Sequence, residues 1–272
     1  MPRDYRVLKH IGSGSFGRVY KVEDSNKNIF AMKKIPVPGI SKADKQAIIN
    51  EIAVLKLHSS PFIIKYYTSF YENGFIYIIS EYAEKGDLSH YLKKLYKNYK
   101  KLDDHWICKF FIQICIGIHY LHINNTIHRD IKSSNIFIDK NYNIKIGDLG
   151  IAKTFEKVML ARTCIGSPYY MSPELFKNET YTEKTDVWSL GCVLYELITQ
   201  KVPFEASNMP QLTYKVINND FIKITNRLYN DKYNQILSST LDKNKENRIS
   251  IAELLSNNFI INKSGVTPSL YT

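Results

Sequence analysis

No run in the 272 residues approaches the roughly 18 consecutive apolar residues of a membrane span, so a spanning helix is not expected. The N-terminus, MPRDYRVLKH, lacks the apolar core of a secretory signal, so export is not expected either. Cysteine is scarce. Cys108, Cys115, Cys164 and Cys192 form no CxxC pair and no metal-like spacing, which fits reduced thiols in a cytosolic or nuclear protein. Internal repeats and a long low-complexity linker are also missing. Hydrophobic content of 44% with 23% charged is ordinary for a soluble globular chain, and the length suits one large domain or two lobes.

Acids are outnumbered, 26 against 37 Lys and Arg, giving a formal charge of +11. Such a balance can signal nucleic acid or membrane partners. Here the lysines are scattered among Asn, Ile and Tyr, as compositional drift would leave them. The densest cluster, KKLYKNYKK from Lys93 to Lys101, falls where a helix end and a loop are expected. Surface charge alone is weak evidence, so it reads as a solvated surface. Neither a membrane nor a specific nucleic-acid partner is expected.

Strand-like segments dominate the first eighty residues: YRVLKHI, RVYKVED, NIFAMKKIPV, IIKYYTSF and FIYIISEY. One amphipathic helix interrupts them, from about Lys42 to His58, with Ile48, Ile52 and Leu55 on one face. Gly86-Asp87 then opens a helix-rich region. WICKFFIQICIGIHYLH and DVWSLGCVLYELIT are apolar nearly all round, as central core helices are. IAELLSNNFI reads as one final amphipathic helix, and the residues from Lys263 as a loose tail. This pattern predicts an α+β chain with a small antiparallel β lobe, a hinge, a larger helical lobe and a ligand cleft between them.

The densest chemistry lies in HRDIKSSNIFI followed by KIGDLG, His128 to Gly150. Asp130 can accept a proton from an attacking hydroxyl, and Lys132 can neutralise charge on a transferring phosphate. Asn135 and Asp148 are hard oxygen donors of the kind Mg²⁺ prefers beside substrate phosphates. The order H-R-D-x-K-x-x-N, then D-x-G after a short apolar hairpin, resembles the catalytic and metal loops of eukaryotic protein kinases. A chance polar turn would not be accompanied by the rest of the set in order.

That resemblance implies the bilobal kinase fold. The expected boundaries are a kinase domain over 1–262, with the small lobe about 1–82, the hinge about 81–85, the larger lobe about 86–262, and a tail over 263–272. GSGSFGRVY matches G-x-G-x-x-G-x-V, and RVYKVED continues it as a strand. A dinucleotide fold would open a helix there. Ile11, Gly12, Ser13, Gly14, Ser15, Phe16, Gly17 and Val19 are then the ATP-covering segment, its glycines letting backbone N–H groups approach phosphates. In FAMKK the A-x-K pattern picks Lys33 over Lys34, with Glu51 as its helix partner. Backbone groups of Glu81 and Ala83 are expected at the adenine edge, Val19 and Ala31 above it, and Asp87 at the ribose. Ser80 holds the position that gates the rear of the pocket, and it is small. The implied cofactors are ATP and Mg²⁺, with Mn²⁺ a possible substitute.

Further on, SPE replaces the usual APE. Glu174 is expected to pair with Arg248, and Asp186 to anchor the catalytic loop. DLGIAK, TCIGSPYYMSPE and YELITQKVPFEASNM are each similar to the NIMA-related (NEK) serine/threonine kinases, over Tyr5 to Ile260. The resemblance implies transfer of the ATP γ-phosphate to protein Ser or Thr in cell-cycle or microtubule regulation. It places the activating phosphosite at Thr163, pairing with Arg129 and Lys153. Ser167 stands where the family commonly has Thr. Ile151 after DLG implies a preference for Thr acceptors, and Leu149 beside Tyr66-Tyr67 raises a second, inactive state. Many relatives carry coiled-coil or regulatory tails beyond the last helix, so dimerisation is left open. Two other readings compete. A nucleotide-sensing pseudokinase scaffold conflicts with the intact catalytic set. A basic nucleic-acid binder lacks aromatic platforms in a recognisable module.

Overall fold

A computed structural model of the chain describes residues 4–14, 17–39, 41–148, 167–226, 229 and 231–267. Five strands, β1 (Tyr5–Gly14), β2 (Gly17–Asp24), β3 (Ile29–Pro36), β4 (Tyr66–Glu72) and β5 (Phe75–Glu81), form one antiparallel sheet in the order β1-β2-β3-β5-β4. Alternating apolar residues give the sheet two buried faces. Val22, Met32, Tyr77 and Ile79 pack on one face. Ile35 and Ile78 pack on the other, against Ile48 of α1 (Lys42–Leu57). The expected face of α1, Ile48 with Ile52 and Leu55, is the one turned to the sheet.

A two-residue strand, β6 (Gly86–Asp87), leads into α2 (Leu88–Lys97) and then α3 (Asp104–Ile123). β7 (Ile136–Ile138) and β8 (Ile144–Ile146) form the expected hairpin ahead of Asp148. Then follow α4 (Pro173–Phe176), α5 (Glu183–Thr199), α6 (Met209–Asn218), α7 (Lys232–Thr240), α8 (Ile251–Leu255) and α9 (Asn258–Ser264). α3 and α5 form the centre of the helical part, with Phe110, Phe111, Trp188 and Leu190 at most 1% exposed. By length and composition α3 is apolar enough to cross a membrane, but 72% of that stretch is buried within the protein. It is the core helix of the larger lobe, with Asp104, Lys109, Gln113 and its three histidines, His105, His119 and His122, interrupting the apolar run.

Two expectations at the C-terminal end need correction. IAELLSNNFI is two helices, because the Asn257 side chain accepts from the N–H groups of Phe259 and Ile260 and starts α9 afresh. Nor does a loose tail begin at Lys263. α9 runs to Ser264, and the Lys263 carbonyl accepts from His105 Nδ1 at 3.0 Å.

The two lobes meet along the chain between α1 and β4. Ile63 bridges Ile146 in parallel, with Ile64 N–H donating to the Ile146 carbonyl at 2.8 Å and Ile146 N–H to the Phe62 carbonyl at 2.7 Å. This stitches the small lobe to the strand that carries Asp148.

Candidate active site

Strand register decides which side chains face the cleft. Directly opposed residues of an antiparallel pair share a face, as do residues two apart on one strand. Lys33 opposes Val19 on β2 and Ile78 on β5, while Ala31 opposes Ser80. Val19, Ala31, Lys33 and Ser80 therefore lie together on the face that meets α1. Lys34 lies on the other face, its Nζ 3.9 Å from the centre of the Phe75 ring. Sheet geometry thus separates the two lysines as the A-x-K pattern does. The side chain of Glu51, and Ser15 and Phe16, lie outside the described residues.

The glycine strand behaves differently from expectation at one position. A Cβ at Gly17 would sit 2.1 Å from the Lys34 carbonyl oxygen, whereas one at Gly12 would meet nothing within 4 Å. Gly17 is required by the close approach of β3, quite apart from any phosphate.

At the hinge, Glu81 N–H donates to the Lys65 carbonyl at 2.8 Å, so this N–H is already used. Its carboxylate reaches back to β8, with Oε1 2.7 Å from Lys145 Nζ and Oε2 accepting from Lys65 N–H at 3.1 Å. The Ala83 carbonyl accepts from Gly86 N–H at 3.1 Å. Asp87 caps α2, one oxygen accepting from His90 N–H at 2.8 Å. Opposite Ser80 on β4 stands Tyr66, whose hydroxyl donates to Ser69 Oγ at 2.8 Å. Tyr66 packs with Ile52 and Leu55 of α1, but Tyr67 is 47% exposed and meets Phe30 edge-on, 5.0 Å between ring centres. Of the tyrosine pair, only Tyr66 is placed to affect α1.

The catalytic loop hangs from one buried carboxylate. Asp186, fully buried on α5, accepts from the backbone N–H groups of His128 at 2.9 Å and Arg129 at 3.1 Å. The Tyr181 hydroxyl at 3.0 Å and His122 Nε2 at 2.8 Å also donate to it. These bonds hold Arg129 at φ 67°, a left-handed backbone that is uncommon for a residue other than glycine. His128 Nε2 donates to the Gly147 carbonyl at 3.3 Å, and its Nδ1 accepts from Asp130 N–H at 3.2 Å. One neutral tautomer thereby links the catalytic loop to the residue before Asp148.

Asp130, 9% exposed, is the meeting point. Its Oδ2 lies 2.8 Å from Lys132 Nζ and accepts from Asn135 Nδ2 at 2.8 Å, and the same Nδ2 donates to the Asp130 carbonyl at 2.8 Å. With its amide nitrogen committed to Asp130, Asn135 keeps its amide oxygen for another partner. Asp148 is exposed, at φ 51°. Leu149, Ile151, Lys153 and Thr163 lie outside the described residues, as does the side chain of Ser167.

Glu174 and Arg248 form the expected pair, at 3% and 1% exposure. Guanidinium nitrogens reach Oε1 at 2.7 Å and Oε2 at 2.6 Å, with Thr185 Oγ1 adding a third bond at 3.0 Å. Burial alone would raise the Glu174 pKa, but the hydrogen bonds and charge of Arg248 hold it below the ordinary carboxylate value.

Sequence reading missed a further acid, the half-buried Glu196 on α5. It accepts from Ser133 Oγ at 3.0 Å and Tyr170 OH at 2.6 Å, tying the catalytic loop to the SPYY turn. Burial pushes its pKa up. No local motif marks it, because all three partners meet only in the fold. Lys145 was missed for the same reason.

The protein kinase domain family matches residues 5–260, and the chain belongs to it. Within that family it is similar to the NIMA-related serine/threonine kinases. It is 39% identical over 259 residues to serine/threonine-protein kinase Nek1 of Mus musculus, covering 94% of this chain and 21% of the relative. It is 40% identical over 268 residues to the probable serine/threonine-protein kinase nek3 of Dictyostelium discoideum, covering 96% and 24%. Human serine/threonine-protein kinase Nek2 is 35% identical over 266 residues, covering 94% and 60%. The chain thus spans about a fifth to three fifths of the length of these relatives.

Proposed function

We propose that the chain is an ATP-dependent serine/threonine protein kinase of NIMA-related type. The observation that carries this reading is the convergence of Lys132 and Asn135 on Asp130, in a loop suspended from Asp186. Asp130 orients and deprotonates the acceptor hydroxyl, and Lys132 offsets charge on the phosphoryl group in transit. Lys33, on the face of β3 that meets α1, is the lysine assigned to the nucleotide phosphates, with Glu51 as the partner that the family resemblance assigns to it. Bound Mg·ATP supplies the transferable phosphoryl group. The Asn135 amide oxygen and the Asp148 carboxylate are donors of the hard type that Mg²⁺ takes, and Mn²⁺ suits the same donors. Positioning and electrostatics then supply most of the acceleration. The intact set favours this reading over a pseudokinase scaffold.

Incubation of the purified chain with labelled ATP, Mg²⁺ and an unstructured protein acceptor tests it. Labelled phosphoserine and phosphothreonine are expected, and no transfer under any metal would reject the reading. The finer parts of the proposal are activation by phosphate on Thr163, a Thr preference set by Ile151, and a cell-cycle or microtubule role in cytoplasm or nucleus. Mass spectrometry of active enzyme, Ser/Thr-matched peptides and localisation of the tagged protein test these in turn.

A further inference from the structure

The lysine-rich segment around the end of α2 carries more than its composition suggests. Lys93, Lys94, Lys97, Lys100 and Lys101 are all exposed, and residues 88–102 contain no Asp or Glu. Among the described residues no carboxylate pairs with any of these five ammonium groups. Tyr99, in the middle of them, is 99% exposed.

The backbone at Tyr99 is unusual too. Lys100 N–H donates to the Leu95 carbonyl at 2.9 Å and Tyr99 N–H to the Tyr96 carbonyl at 3.0 Å, closing the helix end. That closure sets Tyr99 at φ 54°, where glycine is the favoured residue and a bulky side chain is strained. The ring recovers nothing for this strain, since among the described residues it packs on no neighbour. Tyr96, 60% exposed, presents a second aromatic face.

The patch also adjoins the catalytic loop. α2 packs against the turn Ser133–Asn135, which follows Lys132 directly. Asp87 begins the same helix directly after the hinge.

We propose that this surface docks an acidic protein segment, a run of Asp and Glu flanking the phosphoacceptor of the substrate. Unpaired lysines supply the complementary charge, and Tyr99 and Tyr96 supply rigid rings for the aliphatic parts of the acidic side chains. The inference rests on the kinase reading and adds a substrate class to it.

Two peptides with the same Thr acceptor test it, one flanked by Glu and Asp, the other by Gln and Asn at the same positions. For the wild-type chain at low salt, KM for the acidic peptide should be about tenfold lower, as a few exposed charge pairs allow. Added salt should erase the difference. Lys94→Gln/Lys97→Gln/Lys101→Gln should raise KM for the acidic peptide alone and leave kcat unchanged. Tyr99→Gly should raise KM for the acidic peptide while also raising the melting temperature, a combination that a purely structural residue does not give. Equal KM values for the two peptides in wild type, or equal changes for both in the variants, would overturn the proposal. Fluorescence anisotropy of a labelled acidic peptide, without ATP, measures docking even if neither peptide is phosphorylated. Displacement of that peptide by single-stranded RNA at far lower concentration than by unlabelled acidic peptide would assign the surface to nucleic acid instead.

Discussion

The carboxylate of Glu81, at the hinge, lies 2.7 Å from the Lys145 ammonium on β8, so one ion pair spans from the small lobe to the strand leading into Asp148. Glu81 also accepts from the backbone of Lys65, so its side chain fixes β4, the hinge and β8 at once. With 15% and 23% side-chain exposure the pair is sheltered but not sealed from water. Its worth is therefore of the order of 1 kcal/mol, above a surface pair and below a fully buried one. Glu81→Gln and Lys145→Met should each lower the melting temperature by about 2–4 °C. The double variant should lose little more than either single one. Additive losses in calorimetry would show that the two side chains act separately.

The Glu174–Arg248 pair should behave as a buried charge network. Arg248→Met leaves the Glu174 charge buried with neutral partners such as Thr185 and should cost about 3–5 kcal/mol, readable as a fall in denaturant midpoint. The pH dependence follows from the sign of the shift. The folded-state pKa of Glu174 is below its unfolded value, so its contribution is complete above the unfolded value of 4.5. It is lost as pH falls through the lower folded pKa. Acid unfolding of wild type should therefore steepen below about pH 4.5, and Arg248→Met should lack that component. An identical acid limb in both proteins would contradict the assignment.

How much of this was legible beforehand depended on the range of each interaction. Alternation in IFAMKKIP and FIYIISE gave the strands, and the short catalytic motif gave Asp130, Lys132 and Asn135, which sit within one turn of chain and meet on one oxygen. Arg248 was legible only through resemblance, since nothing near it in the chain names Glu174 as partner. Lys145 and Glu196 were invisible. One reads as the solvent-facing middle of a short strand, the other as one polar residue in an apolar helix, and each gains meaning only from a distant partner. The break at Asn257 had a signal, an N-cap residue inside the apolar pattern, that continuing periodicity obscured.

Tyr66, standing across from Ser80, should set the size of the space behind the adenine site. A pyrazolopyrimidine bearing a naphthyl group should inhibit the wild type, because burying apolar area gains about 25 cal/mol per Å². Ser80→Met should abolish that inhibition, and Tyr66→Ala should strengthen it. Inhibition constants from steady-state kinetics decide the matter. Equal constants for wild type and Ser80→Met would mean that Tyr66 already closes the space.

The central claim is that Asp130 serves the acceptor hydroxyl while the nucleotide is held elsewhere. Asp130→Asn tests it most directly, comparing phosphotransfer with ATP binding measured on the same preparation. The account predicts that transfer falls by about 10²–10⁴-fold while the dissociation constant for Mg·ATP changes little. Transfer at the wild-type rate, or loss of ATP binding in step with loss of transfer, would contradict it.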